Sequence, residues 1–167
     1  MKKLAALAVV VAMIAPTAAF AVTGTIQATA NVLTPLTVST DLRALDFQDV
    51  FPGVNKSVAY TDATSGKWDI AGALGAEIQL SFTLPANLSF GGNDLPISFS
   101  ATDAAYFATD VVGSAVAFDP AAGSTENLDG AAGTGFVWLG GTVAPIPAQA
   151  AGLYSATVSL DVVYTGN

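Results

Sequence analysis

Apolar and polar residues alternate with a period of two along most of the chain, which predicts strands that bury one face. The pattern begins at Gly24. Ile26, Ala28, Ala30 and Val32 fall on one side, and Thr25, Gln27, Thr29 and Asn31 on the other. Thr34-Pro35 interrupts it, because proline has no N–H for a ladder, and residues 36–39 resume it. Further strands are expected at 45–50, 57–61, 67–71, 95–101 and 135–143. The clearest middle strand is 77–84, with Ile78, Leu80, Phe82 and Leu84 inward and Glu77, Gln79, Ser81 and Thr83 outward. The longest is the last, 154–164: Tyr154, Ala156, Val158, Leu160, Val162 and Tyr164 share one face. Turns are expected at Phe51-Pro52-Gly53, at residues 62–66 and at Gly91-Gly92-Asn93-Asp94. Residues 102–134 read as loops with one short strand near 116–118. Eight to ten strands at short intervals, with no capped helical segment, predict an all-β antiparallel sandwich in one domain.

The first residues read differently. Lys2 and Lys3 precede an apolar run from Leu4 to Ile14, Pro16 breaks it, and Ala19-Phe20-Ala21 has the form of a cleavage site. This is the layout of a secretory signal peptide over residues 1–21. The run is shorter than the roughly 20 apolar residues of a membrane span, and no later segment is long and apolar enough to span. The expected organisation is signal peptide 1–21, an N-terminal alternating strand 22–34 and a sandwich domain 35–167. The expected route is secretion, through the periplasm to the cell surface or an extracellular filament.

Composition narrows the chemistry. The 167 residues include no Cys and no His, with 5 Lys and Arg against 13 Asp and Glu. Without these residue types there is no disulfide, no thiolate nucleophile, no imidazole base and no conventional zinc site. Loss of residues 1–21 would leave 146 residues with Arg43, Lys56 and Lys67 as the only cations, and a net charge of −10. So acidic a chain lacks the basic footprint of a nucleic-acid binder.

Three groups of residues are candidates for chemistry. Asp46 and Asp49 lie three apart on an expected strand and so face opposite ways, which does not make a glycosidase pair. Asp119, Glu126, Asn127 and Asp129 offer oxygen ligands in a Gly-rich stretch but lack EF-hand spacing. Trp68, between Lys67 and Asp69, is a candidate exposed ring for stacking on a sugar, with Tyr106 and Trp138 as others; Trp138 sits in an apolar run and reads as core or half-buried. No enzyme activity, cofactor or metal is expected.

The two long amphipathic strands at either end of the secreted portion stand out. Small inward residues at Ala28 and Ala30 suit a strand that slides into a narrow groove, with Ile26 and Val32 filling pockets. The same residues could equally pair within their own domain, and periodicity does not separate the two. Ala28-Thr29-Ala30-Asn31-Val32, Leu45-Asp46-Phe47 with Pro52-Gly53, Leu139-Gly140-Gly141-Thr142 and Gly152-Leu153-Tyr154-Ser155-Ala156-Thr157 running into Val163-Tyr164 occur in an order that resembles a family of secreted bacterial β-proteins of unknown function. That family is similar to spore-coat-U-like proteins and to chaperone–usher fimbrial (pilin) subunits. The resemblance implies an immunoglobulin-like sandwich that lacks its last strand and is completed by a donor strand. It implies Ile26, Ala28, Ala30 and Val32 as donor positions, and residues 154–164 as the strand that lines the acceptor groove. It further implies a homopolymer on the cell surface, with a periplasmic chaperone and an outer-membrane usher as partners. In contrast to many fimbrial subunits, this chain has no disulfide, and Tyr164 is followed by three residues. The alternative expectation is a self-contained secreted sandwich that binds carbohydrate or envelope polymer.

Overall fold

The computed structural model describes residues 22–32, 34–39 and 43–166. The expected signal peptide, residues 1–21, lies outside these. The chain divides after Asn31. In the N-terminal unit, residues 22–31 carry no strand assignment, and every one of them is exposed.

The second unit is an antiparallel β-sandwich with twelve short strands among its described residues. These are β1 (Thr37–Val38), β2 (Lys56–Val58), β3 (Gly66–Ala71), β4 (Glu77–Thr83), β5 (Asn87–Phe90), β6 (Asn93–Ser98), β7 (Ala104–Phe107), β8 (Val116–Phe118), β9 (Ser124–Asn127), β10 (Thr134–Leu139), β11 (Gly141–Val143) and β12 (Ser159–Tyr164). One layer is the sheet β1-β3-β10-β7-β8. Facing it are β12-β4-β9 and β2-β11-β6-β5.

Two long strand tracks join these pieces. β10 runs through Gly140 into β11, and so passes from one sheet to another. Gly140 is needed there, because a Cβ at this position would strike the Val58 carbonyl and the backbone of Ala59 and Tyr60. Likewise β4 leads into β5 across residues 84–86, and Pro85 breaks the ladder between them. The last segment of the chain follows this second track. β12 pairs with β4 from Ser159↔Thr83 to Tyr164↔Ile78, and further back Ser155 pairs with Ser89.

Alternation places the core. Ile78 and Leu80 of β4 meet Trp68 and Ile70 of β3, Tyr106 of β7, and Val137 and Leu139 of β10. Leu36, Val38, Leu160, Val162 and Tyr164 pack against that cluster. A second, smaller cluster joins Phe47, Val58, Leu95, Ile97 and Val143, with Leu45, Val50, Leu88 and Tyr154 against it. Among the described residues no buried side-chain N or O lacks a hydrogen-bond partner, as a well-packed interior requires.

Several expectations need correction. The strand expected at 24–32 is not present as a strand. Residues 45–50 form none either: Asp46 N–H reaches Thr64 O (2.9 Å), but the chain turns away at Gln48, whose φ is 54°. The last regular strand is six residues long rather than eleven. The stretch 102–134 contains three strands, β7, β8 and β9, where one was expected.

Candidate functional site

The sandwich closes differently at its two ends. At one, residues 34–38 seal the seam between the sheets. Leu36 and Val38 pack on the same core cluster as Leu160 and Val162, and β1 pairs with β3. The Tyr164 hydroxyl fixes this end: it accepts a hydrogen bond from Ala73 N–H and donates one to Thr34 O, both 2.7 Å.

Towards the other end the seam is open. A cleft of about 1060 Å³ lies between two chain segments, residues 43–52 on one side and 149–158 on the other. Its floor is apolar: Trp68 and Leu139 from one sheet, with Leu88, Leu95, Ile97 and Val143 from the other. Both flanks are irregular chain that meets the sheets at few points, Arg43↔Lys67 on one side and Ser155↔Ser89 on the other. Residues 44–50 and 156–158 carry no strand assignment, and residues 151–158 touch a ladder only at Ser155. A sheet edge that offers unpaired N–H and C=O groups beside an apolar floor is a template for a further strand.

Side chains anchor each flank. The Arg43 guanidinium donates from Nε to Ser65 O and from Nη2 to Ser65 Oγ, each 2.7 Å, and Ser65 is fully buried. Gln149 ties the second flank: its Nε2 donates to the Tyr154 hydroxyl (2.7 Å) and to Asp94 O (3.1 Å), while Tyr154 donates to Ala150 O (2.9 Å). Phe90 packs on Tyr154 at 5.7 Å between ring centroids, and a Cβ on Gly152 would run into the Phe90 ring.

The residues singled out from sequence divide between these places. Tyr154, Ala156 and Val158 line the cleft, whereas Leu160, Val162 and Tyr164 belong to the sealed end. The predicted alternation holds from 154 to 164: Ser155, Thr157, Ser159, Asp161 and Val163 are exposed, and every residue of the other set except Ala156 is at least half-buried. Ile26, Ala28, Ala30 and Val32 are exposed, Ile26 at 96%. Trp68 is not the surface ring anticipated. It is 9% exposed, meets Phe82 edge to face at 5.6 Å, and forms part of the cleft floor. Trp138 is buried and stacks on Phe136. Tyr106 is buried and donates to Asn127 O (2.9 Å); desolvation, with Glu126 and Asp129 nearby, pushes its phenol well above the ordinary tyrosine value.

The acids serve turns. Asp119 accepts from Ala121 N–H, and Asp129 from Ala131 and Ala132 N–H. Among the described residues no three His, Cys, Asp or Glu gather as a metal site would require, and no helix is long and apolar enough to cross a membrane. Sequence reasoning missed the Arg43-side flank: Leu45 and Phe47 alternate as a strand does, but nothing in the sequence says that they lack a neighbour. No family model matches the chain, and no curated protein matches it.

Proposed function

We propose that this protein is a non-catalytic structural subunit of a bacterial surface filament, assembled when the N-terminal segment of one copy fills the cleft of the next. The observation that carries the reading is the open apolar cleft between two flanks that pair only sparsely with the sheets. An unfilled groove of this kind exposes apolar surface and strand edges together, an aggregation hazard that an added strand removes.

The N-terminal segment has the properties such an occupant needs. From Leu4 to Thr40 the sequence contains no charged residue, so residues 24–32 can be buried without desolvating a charge. Ile26 and Val32 would each contribute roughly 1.5–3 kcal/mol on burial, and each new ladder hydrogen bond roughly 0.5–1.5 kcal/mol. Chain length keeps Val32, the last donor position, out of its own chain's cleft. Val32 is two residues, or about 7 Å of chain, from Thr34, and Thr34 is held at Tyr164. From Tyr164 back to Val158, where the cleft begins, is about 20 Å along the strand. Val32 therefore cannot enter the cleft of its own chain while residues 34–38 seal it. Head-to-tail contacts that do not close a ring propagate as filaments. The sequence resemblance to fimbrial subunits agrees with this, and a periplasmic chaperone that covers the cleft before assembly is part of the same proposal.

Ala28→Asp and Ala30→Asp test it. Each places a carboxylate on the donor face, where burial without a partner costs several kcal/mol. The variants are expected to be secreted as folded monomers and to form no polymer. Polymerisation at the wild-type level would remove these residues from the donor role.

A further inference from the structure

Exposed apolar side chains stand at opposite ends of the sandwich, and the donor-strand reading brings them together. One group surrounds the open end of the cleft. Val54 (58% exposed) and Ile146 (55%) lie on loops at this end, and Phe51 and Leu153 are also exposed. Their loops are joined: Gly53 N–H reaches Pro145 O and Ile146 O at 3.2 Å, Val54 N–H reaches Phe51 O at 3.1 Å, and Gly53 packs on Pro147. Phe51 and Leu153 line the cleft mouth, whereas Val54 and Ile146 lie outside the lining. At the sealed end a single apolar side chain, Leu74, is 64% exposed. It follows Ala73, whose N–H is bound by the Tyr164 hydroxyl that also holds Thr34.

We infer that the rim at Val54 and Ile146 of one copy packs against the Leu74 end of the next, as a second contact beside the exchanged strand. The inference rests on the donor-strand reading. Beyond the acceptor's cleft its own Leu36 and Val38 pack on the core, so the incoming segment leaves by the rim. Its last donor position, Val32, is then two residues from its own Thr34, about 7 Å of chain. The donor's Thr34–Tyr164–Ala73 corner is thereby held against the acceptor's rim, and Leu74 comes with it. Neither the rim nor Leu74 is accounted for in the separate domain, and both are apolar on a chain of net charge −8. The joint would bury them and limit the angle between successive subunits.

Cysteine pairs test this in the full chain, which has no cysteine of its own. Leu74→Cys is combined with Val54→Cys in one variant and with Ile146→Cys in another. All three positions are exposed, so folding is undisturbed, and polymer formation under reducing conditions serves as the control. Within one chain the two positions of each pair are roughly 30 Å apart along the strands, beyond the 4.4–6.8 Å that a disulfide spans between Cα atoms. After oxidation and boiling in denaturant, at least one pair is expected to give a covalent ladder beyond dimer that reductant collapses, while each single-cysteine variant stops at dimer. Boil-sensitive polymers that yield only monomer and dimer with both pairs would overturn the contact and leave strand exchange standing. Absence of polymer in the wild-type protein and in every variant would instead overturn strand exchange, and the contact with it.

Discussion

Trp68 separates a cleft-floor residue from a surface ring, and Trp68→Ala reads the difference as free energy. The ring lies between the closed core and the cleft, against Phe82. An aromatic side chain of this kind buries roughly 150–250 Å², which at about 25 cal/mol per Å² amounts to roughly 4–6 kcal/mol. Alanine keeps the Cβ, and measured Trp→Ala losses in cores are about 3–5 kcal/mol. One side of the ring already borders the cleft, so the space left would join it rather than form a sealed void. The cavity contribution is therefore small, and a loss of about 3 kcal/mol is expected. Trp68→Phe retains an edge-to-face partner for Phe82 and should lose only about 1 kcal/mol. Guanidinium unfolding followed by the fluorescence of Trp138 measures both, with a lowered midpoint at unchanged slope. A loss below about 0.5 kcal/mol for Trp68→Ala, the size usual for surface positions, would refute the placement of this ring.

Gly140→Ala pushes a methyl group into the backbone at Val58, Ala59 and Tyr60, none of which can swing away, so a loss of about 1–3 kcal/mol is expected in the same unfolding assay. Alkali should destabilise the fold through Tyr106. Its phenol is raised above the ordinary value of 10.0 by burial, so the unfolded chain loses this proton first, and the stabilisation present below about pH 10 falls as pH rises beyond it. Lys67 acts in the same direction: burial works against its charge, but Asp110 at 2.8 Å and Asp69 at 3.2 Å outweigh it and raise its amino group above 10.5. Stability measured between pH 8 and 11 should decline less steeply for Tyr106→Phe than for wild type, and parallel curves would contradict this. Because every copy is acidic, polymerisation should accelerate between 10 and 150 mM salt as screening shortens the range of repulsion; a rate that falls with salt would count against like-charged subunits meeting end to end.

Strands with one wet face were the legible part of the fold. β4 and β12 alternate in sequence and in burial alike, because each packs one side on the core and leaves the other in water. Strands without that asymmetry were hidden. β7 reads Ala-Ala-Tyr-Phe and lies between β10 and β8 with both faces covered, so no alternation marks it. β9, Ser-Thr-Glu-Asn, is polar throughout and is a strand only because β4 offers it a ladder. Residues 45–50 err the opposite way: they carry the period of a strand, but Gln48 turns the chain off the sheet edge. Trp68 looks exposed in sequence because its neighbours Lys67 and Asp69 are charged. On a strand these neighbours point to the other face, and there they pair with each other. The cleft was legible only in its halves. Residues 154–158 were marked as groove-lining, whereas the opposing flank depends on which strand is absent beside it, a property of the assembled sheets.

The cleft and the N-terminal segment meet in one experiment. Material sheared from the surface of producing cells is run on a denaturing gel with and without boiling. Strand exchange predicts a ladder of multimers in the unboiled lane that collapses to a single band on boiling, and that is missing for Ala28→Asp. A single monomer band in both lanes for the wild-type protein would contradict it and leave a self-contained domain with an unfilled cleft.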